Sequence, residues 1–180
     1  MKNEEKSLVR KQAANFITLL NMLSGSISIL ASLSGRYKTA LAMIWIAAIA
    51  DRFDGKVARM LGTDGELGVQ MDSMGDVISF GIAPAINVYV RVFLKQDNII
   101  KTFGGIVTVL FMCAGALRLA RYNVNGLNED NSFNGMPITV GGSLLAVTLF
   151  FVKNFGPIFY IVIMALFSIL ELSTIKIKKR

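Results

Sequence analysis

The sequence predicts an all-α integral membrane protein of six transmembrane helices, preceded by a short N-terminal interfacial helix. Three observations carry that expectation. The chain is 53% hydrophobic and only 17% charged, with a mean hydropathy of +0.55, whereas a soluble domain of this size would carry more charge. Six apolar stretches can be drawn, at roughly 16–34, 38–59, 68–92, 99–120, 137–152 and 156–175. With the N-terminus inside, six spans leave only Arg36, Lys38, Arg91, Lys95, Lys101 and Lys153 outside, out of 19 Lys and Arg. That asymmetry places both termini on the cytoplasmic side of a multi-pass cell-membrane protein.

Residues 1–14 (MKNEEKSLVRKQAA) mix acids with bases, and the apolar run after them is too long for a signal-peptide core. They are expected to form the interfacial helix. In the second stretch the uninterrupted apolar part, 39–50, is too short to cross a bilayer, which takes about 20 residues. It reaches that length only if one helix continues through Asp51, Asp54 and Arg59. The fifth stretch is short. Helices of this kind pack around one another rather than around separate cores, so residues 1–180 are expected to form one domain.

Several function classes drop out early. The net charge of +7 invites a nucleic-acid partner, but no dense basic run lies outside the termini, so no nucleic-acid binding is expected. One cysteine, Cys113, excludes an internal disulfide. There is no histidine, so a zinc site is not expected, and any metal must be held by oxygen.

The informative stretch is 51–76, DRFDGKVARMLGTDGELGVQMDSMGD. Asp51, Asp54 and Ala58 stand at i, i+3 and i+7 on one helix face, and Asp72 and Asp76 at i and i+4 on the next. Residues 60–67 contain Gly62 and Gly65 and make an inner-side turn between antiparallel helices. At ~1.5 Å per residue, Asp54 lies about 7 Å and Asp51 about 12 Å above that turn, and Asp72 and Asp76 lie about 6 Å and 12 Å above it. The four carboxylates pair by level and can converge. A lone aspartate at mid-membrane costs about 2.5–3.5 kcal/mol, and four together repel. Two divalent cations would balance them, and an all-oxygen ligand set suits Mg²⁺ or Mn²⁺. Solvated acids at a helix end are the bland alternative, but they require no face-to-face spacing. An ion or metal transport pathway is another, although it leaves Gly55 and Arg59 unexplained.

Gly55 sits inside a helix where glycine costs about 1 kcal/mol relative to alanine, which suits a ligand lying against bare backbone. Ala58 keeps the same strip shallow, and Arg59 can fork onto a phosphate. Ordinary packing and interfacial snorkelling account for each residue singly, less well for all three beside the acids.

The pattern Asp51-x-x-Asp54-Gly55-x-x-Ala58-Arg59, then Gly68-x-x-x-Asp72-x-x-x-Asp76, resembles the signature of the CDP-alcohol phosphotransferases. Three further segments, 79–85 (SFGIAPA), 116–123 (ALRLARYN) and 133–137 (FNGMP), resemble the phosphatidylserine synthase branch, as does the opening Asn15-Phe16-Ile17-Thr18. The resemblance implies six membrane helices, a homodimer and a cytoplasm-facing site with two divalent metals. Asp51 and Asp72 would bridge both metals, Asp54 would bind one and Asp76 the other. Asp76 would also take the acceptor hydroxyl's proton. Asn15, Thr18, Gly55, Ala58, Arg59 and Gly68 would hold the CDP-lipid. The partners implied are membrane lipids, CDP-diacylglycerol and L-serine, with glycerol 3-phosphate or an inositol phosphate as alternative acceptors. One departure stands out: some members carry a hydroxyl residue six positions after the arginine, where this chain has Gly65, with Thr63 nearby.

Arg118 and Arg121 stand three apart at the inner end of the fourth span, followed by Asn123. The cytoplasmic charge bias alone explains them. The branch resemblance adds a pocket for an anionic group, either serine's carboxylate or a donor phosphate.

The topology is testable by thiol labelling in intact cells. Cys113, mid-way along its span, should resist membrane-impermeant maleimides, and Asn128→Cys and Lys178→Cys should label only once the inner face is opened. Labelling of either introduced cysteine from outside would break the model of six spans with both termini inside.

Overall fold

The computed structural model describes residues 2–61, 66–125 and 132–178, and the side chains of 16–53, 67–124 and 134–175. Asn128 therefore lies outside the described residues, as do Thr63 and Gly65.

The first helix, α1 (Lys2–Leu33), runs without a break from the expected interfacial segment into the first apolar stretch. The reason is compositional: no glycine or proline occurs before Gly25, so nothing interrupts the backbone ladder. Gly35, at φ 73°, ends the helix in the left-handed conformation, and its N–H reaches the Ser32 carbonyl at 3.0 Å. After this tight turn α2 (Tyr37–Leu61) packs back along α1. It does continue through Asp51, Asp54 and Arg59, as bilayer length requires.

The third apolar stretch is one long rod of changing pitch. It begins as α3 (Glu66–Asp76), widens to π-helical winding over Val77–Ile82, tightens as α4 (Ala83–Val88) and widens again over Tyr89–Phe93. Pro84 has no N–H to give Phe80 four residues back, which favours a change of winding there. α5 (Asn98–Asn125), α6 (Ile138–Thr148, extended by a 3₁₀ turn over Leu149–Asn154) and α7 (Pro157–Leu172) complete the helices. All six apolar stretches thus appear as helical rods. Three of them, Phe16–Leu33, Leu67–Phe93 and Asn98–Val124, are long and apolar enough to cross a membrane, while Ile138–Asn154 and Pro157–Leu172 are shorter.

Polarity is distributed as a lipid solvent demands. Leu23, Ile27 and Leu30 of α1 and Phe103, Ile106 and Leu110 of α5 are exposed, whereas Asn21, Ser28, Ser32, Asn87 and Glu171 are buried. The buried groups tie helices together: the Ser28 hydroxyl donates to the Ala40 carbonyl at 2.8 Å, Asn87 Nδ2 to Ser28 Oγ at 3.1 Å, and the Ser79 hydroxyl to the Asn21 carbonyl at 2.9 Å. Such bonds and small-residue contacts are what hold helices together where burial from water no longer acts. Phe93, Phe111, Leu145, Leu149, Tyr160 and Met164 fill the centre.

One element has no counterpart in the sequence reading. β1 (Ser132–Asn134) pairs antiparallel with β2 (Lys176–Lys178), aligning Phe133 with Ile177. Backbone bonds from Gly135 N to Ile175 O and from Met136 N to Leu170 O, both 3.0 Å, extend this ribbon onto the end of α7. Strands of three residues paired across some forty positions leave no periodic signal.

The closest interhelical approach suggests a stability test. A Cβ at Gly142 of α6 would lie 2.7 Å from Phe80 Cα and would also meet the Phe80 carbonyl oxygen. Backbone cannot swing aside, so Gly142→Ala should cost about 1–3 kcal/mol and lower the melting temperature in detergent by several degrees. Gly156→Ala, with nothing within 4 Å, is the control and should melt within about a degree of the parent, well inside that overpacking range.

Candidate functional site

α2 delivers Asp51 near its inner end, and α3 delivers Asp72 and Asp76 one turn apart. The structure brings these three together: one carboxylate oxygen from each lies within 4.8 Å of the others. Asp51 and Asp72 are half-buried and Asp76 is buried. At that separation each ionised pair repels by about 3.5 kcal/mol for an effective dielectric near 20. Asp76 also faces Asn21 of α1, and its Oδ1 is buried with no hydrogen-bond partner among the described residues. Three converging carboxylates and an unsatisfied buried oxygen form a donor set that fits a hard divalent cation. Cys113, the one softer candidate in a chain without histidine, lies on the exposed side of α5.

The side chains of Asp54, Gly55, Ala58 and Arg59 lie outside the described residues, as does that of Asn15. The α2 backbone remains helical through Leu61, so the face shared by Asp51, Asp54 and Ala58 is preserved. Thr18 is buried on α1, three residues before Asn21. Gly68, in the first turn of α3, borders open space, with nothing within 4 Å of a Cβ built there.

The arginines separate. Arg118 is buried, its guanidinium 5.5 Å from the Tyr122 ring centre and placed between the charges of Asp76 and Glu171. Arg121 is exposed at the rim, with Nη1 3.5 Å from the Leu172 carbonyl. Three residues fall about 60° short of a full helical turn, enough to turn one side chain inward and leave the other outside. Asn123 Nδ2 donates to Ser73 Oγ at 2.8 Å, fastening α5 to α3 beside Asp72.

Two hollows flank the acids. One of about 480 Å³ runs between α1, α3 and α5, mostly apolar, with Gln70, Ser73 and Asn123 among its lining. Another of about 370 Å³ lies between α2 and α6, where Asp51 and Arg52 meet Trp45, Phe80, Val140 and Leu144. Charged groups opening onto apolar walls suit an amphiphile, with its polar head at the acids and its tail along the helices.

Asn21 and Glu171 went unnoticed in the sequence. Asn21 could have been found from the stripe Thr18, Asn21, Ser28 and Ser32, polar residues at helical spacing inside an apolar span. Glu171 is one acid at the end of an apolar run, and nothing local marks it as buried.

Comparison with known proteins bears on the same residues. Residues 11–171 match the profile of the family described as CDP-alcohol phosphatidyltransferase. A CDP-diacylglycerol–serine O-phosphatidyltransferase of Methanocaldococcus jannaschii is 35% identical over 132 residues, covering 73% of this chain and 57% of that protein. One of the same description from Mycobacterium tuberculosis is 34% identical over 148 residues, covering 78% and 49%. An archaetidylserine synthase of Methanothermobacter thermautotrophicus is 34% identical over 180 residues, covering 98% and 73%. The chain thus spans about half the length of the two serine transferases it matches. With the matched region containing the three converged aspartates and both helices that carry them, the chain belongs to the CDP-alcohol phosphatidyltransferase family.

Proposed function

We propose that this chain transfers the phosphatidyl group of CDP-diacylglycerol to the hydroxyl of L-serine, giving phosphatidylserine and CMP. The observation that carries the reading is the convergence of Asp51, Asp72 and Asp76 inside a family whose name specifies this type of transfer. Serine as acceptor is supported by the names of the relatives. The archaetidylserine synthase, matched along 98% of this chain, favours a second form of the same reading, with an archaetidyl donor in place of the diacylglycerol one.

Asp51, Asp54, Asp72 and Asp76 would hold two divalent cations, Mg²⁺ or Mn²⁺, whose chemistry is to offset charge on the pyrophosphate. The residues of the chain do the rest. Asn15, Thr18, Gly55, Ala58, Arg59 and Gly68 seat the CDP moiety. Arg118, with Arg121 and Asn123 nearer the rim, receives the acceptor's carboxylate. Asp76 accepts the proton as the serine oxygen bonds to the lipid-linked phosphorus and the bond from that phosphorus to CMP breaks. A single domain over residues 1–180, six membrane crossings, a homodimer and a cytoplasmic site belong to the same proposal.

An acceptor screen on purified protein, measuring CMP release from CDP-diacylglycerol and from its archaetidyl counterpart, tests the reading directly. Serine should be preferred over glycerol 3-phosphate and inositol phosphate. Ion flux in liposomes without CMP release would instead favour a transporter.

Chelation should abolish CMP release, and added Mg²⁺ or Mn²⁺ should restore it; full turnover in excess EDTA after dialysis would overturn the metal assignment. Asp76→Asn should lower kcat by at least about 10²-fold, the low end for general-base catalysis, while CDP-diacylglycerol still binds. Asp51→Asn should instead weaken donor binding measured calorimetrically with Mg²⁺ present. Near-normal turnover by Asp76→Asn would move the base to another group.

A further inference from the structure

Glu171, in the last turn of α7, is 1% exposed and so lies within the bundle. Its carboxylate points between α5 and α6, where two glycines make room for it. A Cβ at Gly141 would lie 2.9 Å from Oε1, and one at Gly115 3.4 Å from Oε2. Neither oxygen has a hydrogen-bond partner among the described residues. A carboxylate held this way is costly unless an opposite charge faces it. Arg118 supplies that charge. It stands three residues after Gly115 on the same helix, so α5 presents the gap and the guanidinium from neighbouring turns of one face.

Arg118 is drawn two ways. Asp76 and the two carboxylates beside it attract the guanidinium from one side, and Glu171 attracts it from the other. A guanidinium that moved into the aspartate cluster would pair with the groups the reaction needs and would no longer be open to an anionic acceptor. In serine, the hydroxyl and the carboxylate are separated by only two carbons. An acceptor anchored through its carboxylate can therefore present its hydroxyl to Asp76 only if Arg118 stays beside the cluster and outside it.

We propose that Glu171 is a positioning residue: its buried carboxylate is the counter-charge that holds Arg118 out of the aspartate cluster and open to the acceptor's carboxylate. This role rests on the assignment of Arg118 to the acceptor. It concerns the acceptor alone, so it predicts a selective defect. Removing the charge of Glu171 weakens serine binding and leaves the nucleotide-lipid end of the site as it was.

The test uses the full chain purified in detergent with Mg²⁺, comparing the parent with Glu171→Gln, Glu171→Asp and Gly141→Ala. Glu171→Gln keeps the shape and removes the charge; it should raise the serine KM by about tenfold or more, as expected when one partner of a buried charge pair is lost. The CDP-diacylglycerol KM and the melting temperature should stay near those of the parent. Glu171→Asp should fall between the two. Gly141→Ala, whose methyl group presses on Oε1, should shift the serine KM in the same direction. An unchanged serine KM in folded Glu171→Gln, or equal losses toward both substrates, would overturn the role. If Glu171→Gln does not fold, Gly141→Ala decides by the same criteria. A parent protein that releases CMP with another alcohol but not with serine would overturn the serine reading, and this role with it. A parent that uses serine beside an unaffected variant would overturn this role alone.

Discussion

The mutual repulsion of Asp51, Asp72 and Asp76 is what the rest of the molecule must accommodate. Each ionised pair within 4.8 Å opposes assembly by about 3.5 kcal/mol at an effective dielectric near 20. The interhelical side-chain hydrogen bonds work against that, through Ser28, Asn87 and Ser79. Bonds of this kind in membranes average about 0.6 kcal/mol each, so three amount to about 2 kcal/mol. They do not offset even one repulsive pair. The charge has to be taken up by cations or protons, and the acids are arranged so that a small hard cation can do so with oxygen ligands from two helices.

The backbone geometry around the acids follows from the same need. The π-helical winding begins one residue after Asp76, and its Ser79 donates to α1 at Asn21, whose side chain faces Asp76. On the opposite side α6 comes so close that only a glycine, Gly142, fits against the Phe80 backbone. α1 and α6 therefore hold the rod carrying Asp76 from both sides, immediately beyond the site. Wide windings are common near functional sites, where they re-aim a side chain without ending the helix. Here the re-aimed turn is the one that joins the acids to the buried part of the bundle.

Much of this was legible in the sequence, and the legible parts are the periodic ones. The i, i+3 and i, i+4 spacings of the aspartates, with a glycine-containing turn between them, were enough to predict convergence, and the structure brings three of the four together. The six helical rods followed from hydropathy for the same reason. Features set by tertiary packing were not legible. Arg118 and Arg121 look alike in a charge count, yet the structure buries one and exposes the other. Glu171 ends an apolar run much as an interfacial acid would, and only the glycines of two other helices show why it can sit inside. The β1–β2 ribbon depends on residues some forty positions apart. The unbroken start of α1 was legible from the lack of glycine and proline, but charge at residues 2–11 argued for a separate interfacial segment.

Charge placement along the third and fourth rods joins these observations. The aspartate cluster, Arg118 and Glu171 form a sequence of negative, positive and negative groups running from α2 and α3 through α5 to α7. In an apolar surround such an alternation is favoured over three isolated charges, because each desolvated group has an opposite neighbour. It is also incomplete as it stands: one arginine serves two anionic centres, so the excess negative charge stays at the aspartates. That is where a cation and a phosphate-bearing, anion-leaving reaction would be accommodated together. The end at Glu171 is sealed by Gly141, Met136 and Ile138, and the end at Asp51 opens beside Arg52 and Trp45. The chain of charges is therefore closed at α7 and open at α2, which gives an amphiphilic donor one side from which to enter.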